Sequence, residues 1–179
     1  MRSSALSLTT AALFAAFLAV CAMIAVPLPL TSVPVTLLTL GLFLTGLLLP
    51  PRTACTAAVL HLLLGLAGLP VFSGMTGGPG VLLGPTGGFL LAGPVAVWCI
   101  ARLTRSTPAH PFRVWGALCA GLFLLDTAGT LWYCAVTGIA PGQGLLFCVL
   151  PFLPADVLKM ALAAAMHRIL NRHTPPLPR

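Results

Sequence analysis

Residues Ala5–Val26 read ALSLTTAALFAAFLAVCAMIAV, a run without a charge, a proline or a glycine. A helix rises about 1.5 Å per residue, so this run reaches roughly 30 Å, the thickness of a bilayer's hydrocarbon core. It is apolar on nearly every side, which a surface helix of a water-soluble domain is not. With Arg2 ahead of it the run also has the outline of a secretory signal. Its core is long for one, however, no small-x-small cleavage site precedes Pro27, and five more apolar runs follow. It is therefore read as the first membrane helix, with lipid as the solvent.

Working outward, the chain has 179 residues, 59% hydrophobic and 6% charged. A soluble domain carries about a quarter charged residues, so that class is excluded. Six spans of about 20 residues would occupy roughly two thirds of the length and leave no room for a second domain. Pro, Gly and Arg punctuation sets them at Ala5–Val26, Val35–Leu49, Thr53–Leu69, Pro85–Leu103, Val114–Thr137 and Leu150–Leu170. The second and third are short for a bilayer, so tilting, local thinning or extension into flanking residues is expected.

The net charge of +7 comes from eight Arg, one Lys and two Asp. Nucleic-acid binding would need the basic residues clustered on a solvated face, and here they punctuate apolar runs. Arg2 precedes the first span, Arg52 lies between the second and third, and Arg102, Arg105 and Arg113 lie between the fourth and fifth. Arg168, Arg172 and Arg179 close the chain. All eight fall on one side of the membrane when both termini are cytoplasmic, and the three opposite loops carry no Arg or Lys. The expected fold is thus an all-α integral membrane protein, a six-transmembrane-helix bundle with both termini cytoplasmic. It forms one domain over residues 1–170, followed by a short cytoplasmic tail, 171–179, that reads as disordered.

The six Cys stand singly in apolar stretches, and His61 stands alone in another while His110, His167 and His173 lie in Arg-containing segments. No metal-ligand spacing results, and none of these is assigned to a metal. Between the third and fourth spans, seven of the fifteen residues from Gly74 to Gly88 are Gly. Such backbone can approach a ligand closely, and irregular chain at membrane depth persists where protein or a watery cavity covers it. The stretch lacks the Gly-Lys-Ser/Thr ending of a phosphate loop, so it encodes no ATP site. Gly80, Gly84, Gly88, Ala92 and Ala96 recur every fourth residue, a pattern open to both a packing and a ligand-facing reading. In the first span Ala11, Ala15 and Ala19 form a small-residue stripe with Ala12 and Ala16 beside it, open to internal packing and to partner docking.

Three charges remain inside the spans. Asp156 and Lys159, three apart after Pro151 and Pro154, project from one helix face. An ionisable residue in a membrane span points into the bundle, where it pairs or binds something. The carboxylate can accept from ligand N–H groups and the ammonium can donate to a ligand oxygen. A self-contained ion pair is the alternative. Asp126 sits about 20 Å along the fifth span from Arg113, and it either reaches the same cavity or bonds neighbouring backbone and Thr hydroxyls. Trp132 and Tyr133, near the outer end of that span, read first as interfacial anchors, with ligand stacking the alternative.

Four segments taken in order resemble the BioY family, the biotin-specific substrate-binding subunits of energy-coupling factor (ECF) transporters. They are Pro27-Leu28-Pro29 with Val33-Pro34-Val35-Thr36-Leu37, then Leu64-Gly65-Leu66-Ala67-Gly68-Leu69-Pro70-Val71-Phe72, then Leu83-Gly84-Pro85-Thr86-Gly87-Gly88-Phe89, and Leu150-Pro151-Phe152-Leu153-Pro154-Ala155-Asp156-Val157-Leu158-Lys159. The resemblance implies a biotin pocket near the outer face, with a substrate-binding set of Asp156, Lys159, Thr86, Gly87, Gly74, Phe72 and Thr36. It implies that Ala11, Ala15 and Ala19 dock a transmembrane coupling protein (the T component), itself bound to two ABC-type ATPases. The chain would hold no cofactor, biotin being its cargo and ATP being used only by partner subunits, and it would lie in a bacterial or archaeal-type plasma membrane. Two positions depart from the family pattern: Leu38 where relatives often carry Gln, and Asp126 where they commonly carry an aromatic residue.

On this reading the chain is no enzyme but a biotin-uptake subunit. The rival functions are a substrate-binding subunit for another vitamin such as thiamine or riboflavin, a solitary biotin transporter without ATPase partners, and an intramembrane enzyme using Asp126 and Asp156 as an acid pair. The last requires the two carboxylates to approach each other.

Overall fold

The structure is a computed structural model that describes residues 2–27, 33–105 and 111–173. The tail from Thr174, expected to be disordered, and Leu28–Ser32 of the first connector lie outside the described residues. Helix α1 (Arg2–Met23) leads into a two-residue strand β1 (Ala25–Val26), which pairs antiparallel with β2 (Val35–Thr36). Then come α2 (Leu38–Leu48), α3 (Pro51–Leu66), a 3₁₀ turn at Ser73–Met75, α4 (Pro79–Leu83), α5 (Gly87–Thr104), α6 (Pro111–Thr137), α7 (Pro141–Cys148) and α8 (Leu153–His173).

Among the described residues, α1, α5 and α6 are long and apolar enough to cross a membrane. The pair α7 and α8 meets the same test as a single span bent by 55°. The 11-residue α2 and the 16-residue α3 are shorter. The chain is thus a helical membrane bundle in which the second and third expected spans are even shorter than their sequence suggested. Helix α7 occupies the connector expected between the fifth and sixth spans.

The bundle is organised round α2, whose residues Gly41–Leu47 are buried on all sides. Its neighbours are α1, α3, α5, α6 and α8. A helix surrounded in this way needs apolar residues round its whole circumference, and LTLGLFLTGLL supplies them. The buried Thr45 hydroxyl donates to the Gly41 carbonyl at 2.7 Å, so it leaves no orphan donor. At Gly46 an added Cβ would lie 2.8 Å from Cβ of Ile100, so the α2–α5 crossing depends on that glycine. The α5–α6 crossing uses the same device three times: a Cβ at Gly88 would overlap Trp132, one at Gly121 would overlap Ile100, and one at Gly129 would overlap the Phe89 ring.

Ala11, Ala15 and Ala19 are 0%, 1% and 8% exposed, on the face that α1 turns to α3 and α2. The expectation that they form the partner-docking surface is therefore corrected: small side chains let α1 approach its own bundle, and they are covered by it. Ala12 and Ala16 of the same helix are exposed. The four-residue glycine and alanine row is also divided. Gly80 belongs to α4, Gly84 to the break after it, and only Gly88, Ala92 and Ala96 share the buried face of α5.

Helix α3 ends in a Schellman motif, with Gly68 at φ 95°. The Gly68 N–H donates to Gly65 O at 3.0 Å and the Leu69 N–H to Leu64 O at 3.2 Å. That turn sends the following chain back across the bundle end. Phe72 is fully buried there, against Gly65, where a Cβ would overlap its ring. His61 meets Phe72 edge to face with ring centroids 5.6 Å apart, and its Nε2 lies 3.0 Å from the Val71 carbonyl. The lone histidine of the apolar run thus serves to hold this loop.

Candidate functional site

The returning loop, the β1–β2 ribbon and the helix ends beneath them enclose a cavity of about 500 Å³. That is within the range of about 300–1,000 Å³ common for small-molecule sites. Three helices contribute rows at three- and four-residue spacing, Leu38, Thr39 and Leu42 from α2, Leu122, Leu125 and Asp126 from α6, and Asp156 and Lys159 from α8, while α5 adds the adjacent Phe89 and Leu90. Only one face of a helix can present side chains at that spacing, so these rows define how each helix is turned about its axis. The ribbon adds Pro27, Val33, Pro34 and Thr36, and the loop adds Phe72, Ser73, Gly74, Thr76 and Thr86.

The cavity occupies one end of the bundle, where α1 finishes and where α2, α5 and α8 begin. Arg52 at the start of α3, Arg102 near the end of α5, Arg113 at the start of α6 and Arg168 toward the end of α8 lie at the opposite end. The charges that mark topology and those that line the cavity are therefore segregated along the bundle axis.

Lys159 Nζ lies 2.8 Å from Asp156 Oδ1, and both side chains are 6% exposed. Asp156 sits in the first turn of α8, where the free backbone N–H groups favour an anion. Asp126 is half-buried in the same wall, close enough to feel the charges of both. It makes no hydrogen bond or ion pair to another described residue. Of the alternatives open in the sequence, the structure takes the one in which Asp126 reaches the cavity.

Asp156, Lys159, Thr86, Gly74, Phe72 and Thr36 line this cavity together. Gly87 does not. It is buried under the Leu82 carbonyl, which an added Cβ would overlap, and its own N–H closes a turn onto Gly84 O at 3.0 Å. Its expected place in the substrate-binding set is corrected to a turn glycine that lets α5 start directly behind α4. Trp132 is held by the same break, its indole N–H donating to Gly84 O at 3.0 Å. Tyr133 is buried with Val33, Cys148 and Phe152, so it is no interfacial anchor. Sequence reasoning left Thr39, Ser73 and Thr76 unassigned; Thr39 shares a face with the apolar residues of α2, and only the fold turns that face to the cavity.

A helical membrane protein with a solute-sized, charge-bearing cavity at one end is the class that fold and site define. The sequence matches the model of the BioY family over residues 1–176, and the chain belongs to that family. It is similar to biotin transporter BioY2 of Lactococcus lactis subsp. cremoris, with 39% identity over 171 residues covering 93% of this chain and 90% of that one. It is also similar to a probable biotin transporter BioY of Pyrococcus horikoshii, with 33% identity covering 91% and 94%. A solved structure described as the S-component for biotin from an ECF-type ABC transporter superposes with a TM-score of 0.88. It has 27% sequence identity and covers 97% of this chain and 94% of that one.

Proposed function

We propose that this chain is the membrane subunit that captures biotin from the outer face and delivers it to the cytoplasm together with an ECF energy-coupling module. The observation that carries the reading is the buried Asp156–Lys159 pair in the wall of a cavity of about 500 Å³. Two charges this far from water are costly unless they pair, and an adjacent empty volume gives them a second use. The carboxylate can accept a ligand N–H while the ammonium donates to a ligand oxygen, and Phe72, Phe89 and Phe152 supply apolar walls for a sulfur-containing ring. The names of the related proteins, biotin transporters and a biotin S-component, supply the ligand.

On this reading α1, α2, α3, α5, α6 and α8 all cross the plasma membrane, α2 and α3 reaching full depth with the help of the ribbon and loop that cap them. Both termini are cytoplasmic, which the Arg residues gathered at the end away from the cavity support. A T component and two ABC-type ATPases would drive release, and the exposed small residues Ala12 and Ala16 of α1 leave room for such a neighbour. Calorimetric titration of the purified protein in detergent tests the reading, with thiamine and riboflavin as competitors. Tight, saturable biotin binding that neither vitamin displaces is expected. A folded protein that ignores biotin, or that releases it to another vitamin, overturns the assignment.

A further inference from the structure

The ureido ring of biotin presents two N–H donors on opposite sides of one carbonyl. The Asp156–Lys159 pair offers one carboxylate and one ammonium from a single helix, which matches one N–H and the carbonyl and leaves the second N–H unmatched. A buried donor without an acceptor costs its desolvation. The same wall holds one more carboxylate. Asp126 comes from α6, a different helix from the pair, and has no protein partner among the described residues.

We infer that Asp126 is the acceptor for the second ureido N–H, so that Asp126, Asp156 and Lys159 form a three-point clamp on that ring. This rests on the biotin reading above and adds to it both a ligand contact and an orientation. With two carboxyl groups facing one ammonium, this part of the wall offers more acceptors than donors and suits the neutral, donor-rich end of biotin better than its carboxylate. The valerate chain then points toward other elements of the wall, where the hydroxyls of Thr36, Ser73 and Thr86 can donate to it. A ligand contact also explains how a polar carboxyl group can be kept on α6 at a position half-buried in apolar surroundings: ligand binding satisfies it.

The test compares biotin with the two lactam analogues in which one or the other ureido N–H is replaced by CH₂, on the wild type, Asp126→Leu and Asp126→Asn, by calorimetry in detergent. Asp126→Leu is expected to weaken biotin by about ten- to a hundredfold, the range for a hydrogen bond to a charged group. One of the two lactams should lose a similar factor on the wild type and then be insensitive, within about twofold, to Asp126→Leu. Asp126→Asn keeps an acceptor oxygen and nearly the same shape, so it should bind biotin more tightly than Asp126→Leu does. Equal biotin affinity in the wild type and Asp126→Leu overturns the inference while leaving the biotin reading intact, and so does a loss that simply adds to that of both lactams. A wild type that binds no biotin removes the reading and the inference together.

Discussion

Removing the ammonium of Lys159 leaves the Asp156 carboxylate, 6% exposed and three residues away, without its partner. Stranding one member of a buried pair costs about 3–5 kcal/mol, whereas replacing both by apolar side chains of similar volume is often neutral or stabilising. Lys159→Met should therefore lower the thermal midpoint in detergent, and Asp156→Leu combined with Lys159→Met should recover it. Biotin affinity should behave differently. The single variant is expected to lose at least about thirtyfold, because truncating one partner of a hydrogen-bonded buried charge pair costs about 2–5 kcal/mol in binding, and the double variant should not regain it. Tryptophan-fluorescence melts paired with calorimetry separate the two quantities. A double variant that binds biotin normally would make the pair a purely structural device. The sequence showed that these two residues share a helix face and sit where charge is expensive. Which volume the face borders was not legible, because that depends on the rotation of α6 and α2 against α8.

At the scale of elements, the crossings depend on glycines whose missing side chains are occupied by neighbours. Gly65 receives the Phe72 ring and Gly129 receives the Phe89 ring, and both rings line the cavity. Gly65→Ala or Gly129→Ala must push its ring away, an overpacking cost of about 1–3 kcal/mol. The displaced ring has the cavity to move into, so biotin binding should weaken along with stability. Gly116 of α6 is the control. It is exposed with nothing within 4 Å of an added Cβ, and Gly116→Ala should be neutral or slightly stabilising with binding unchanged. If all three substitutions act alike, the ring contacts are not what positions the cavity wall.

The helices themselves were largely legible, because proline, glycine and arginine punctuate them. The span expected at Val114–Thr137 is α6, Pro111–Thr137, and the one expected at Pro85–Leu103 is α5, Gly87–Thr104. Helix α7 was not, since PGQGLLFC carries two glycines that lower helix propensity, and only its Gly144 and Cys148 are buried, Gly144 against Cys134 and Thr130 of α6. The facing of the α1 alanines was not legible for a different reason. In water, hydrophobic periodicity separates inside from outside, but in lipid both faces are apolar, so a small-residue stripe fits a buried seam and an exposed docking face equally well.

For the whole molecule, the decisive quantity is the direction in which the cavity opens. Arg52, Arg102, Arg105, Arg113 and Arg168 lie toward the end away from it, and the cavity end carries Asp126, Asp156 and Lys159 in its wall with no arginine among them. A basic loop is retained in the cytoplasm, so the arginine-bearing end is expected inside and the cavity end outside. Alkaline phosphatase, active only after export, reports this when inserted at chosen points with the rest of the chain continuing after it. A fusion at Gly138, in the turn between α6 and α7, is expected to be active, whereas one after Arg105, at the end of α5, is expected to be inactive. The decisive variant exchanges charge rather than sequence position. Arg102, Arg105 and Arg113 changed to Gln should weaken retention of that loop and raise the activity of the Arg105 fusion, while Arg168→Gln alone leaves three arginines to hold it. Activity at Arg105 and none at Gly138 in the unaltered chain would invert the bundle. The cavity would then face the cytoplasm, and capture of biotin from outside would be impossible without a further conformational state.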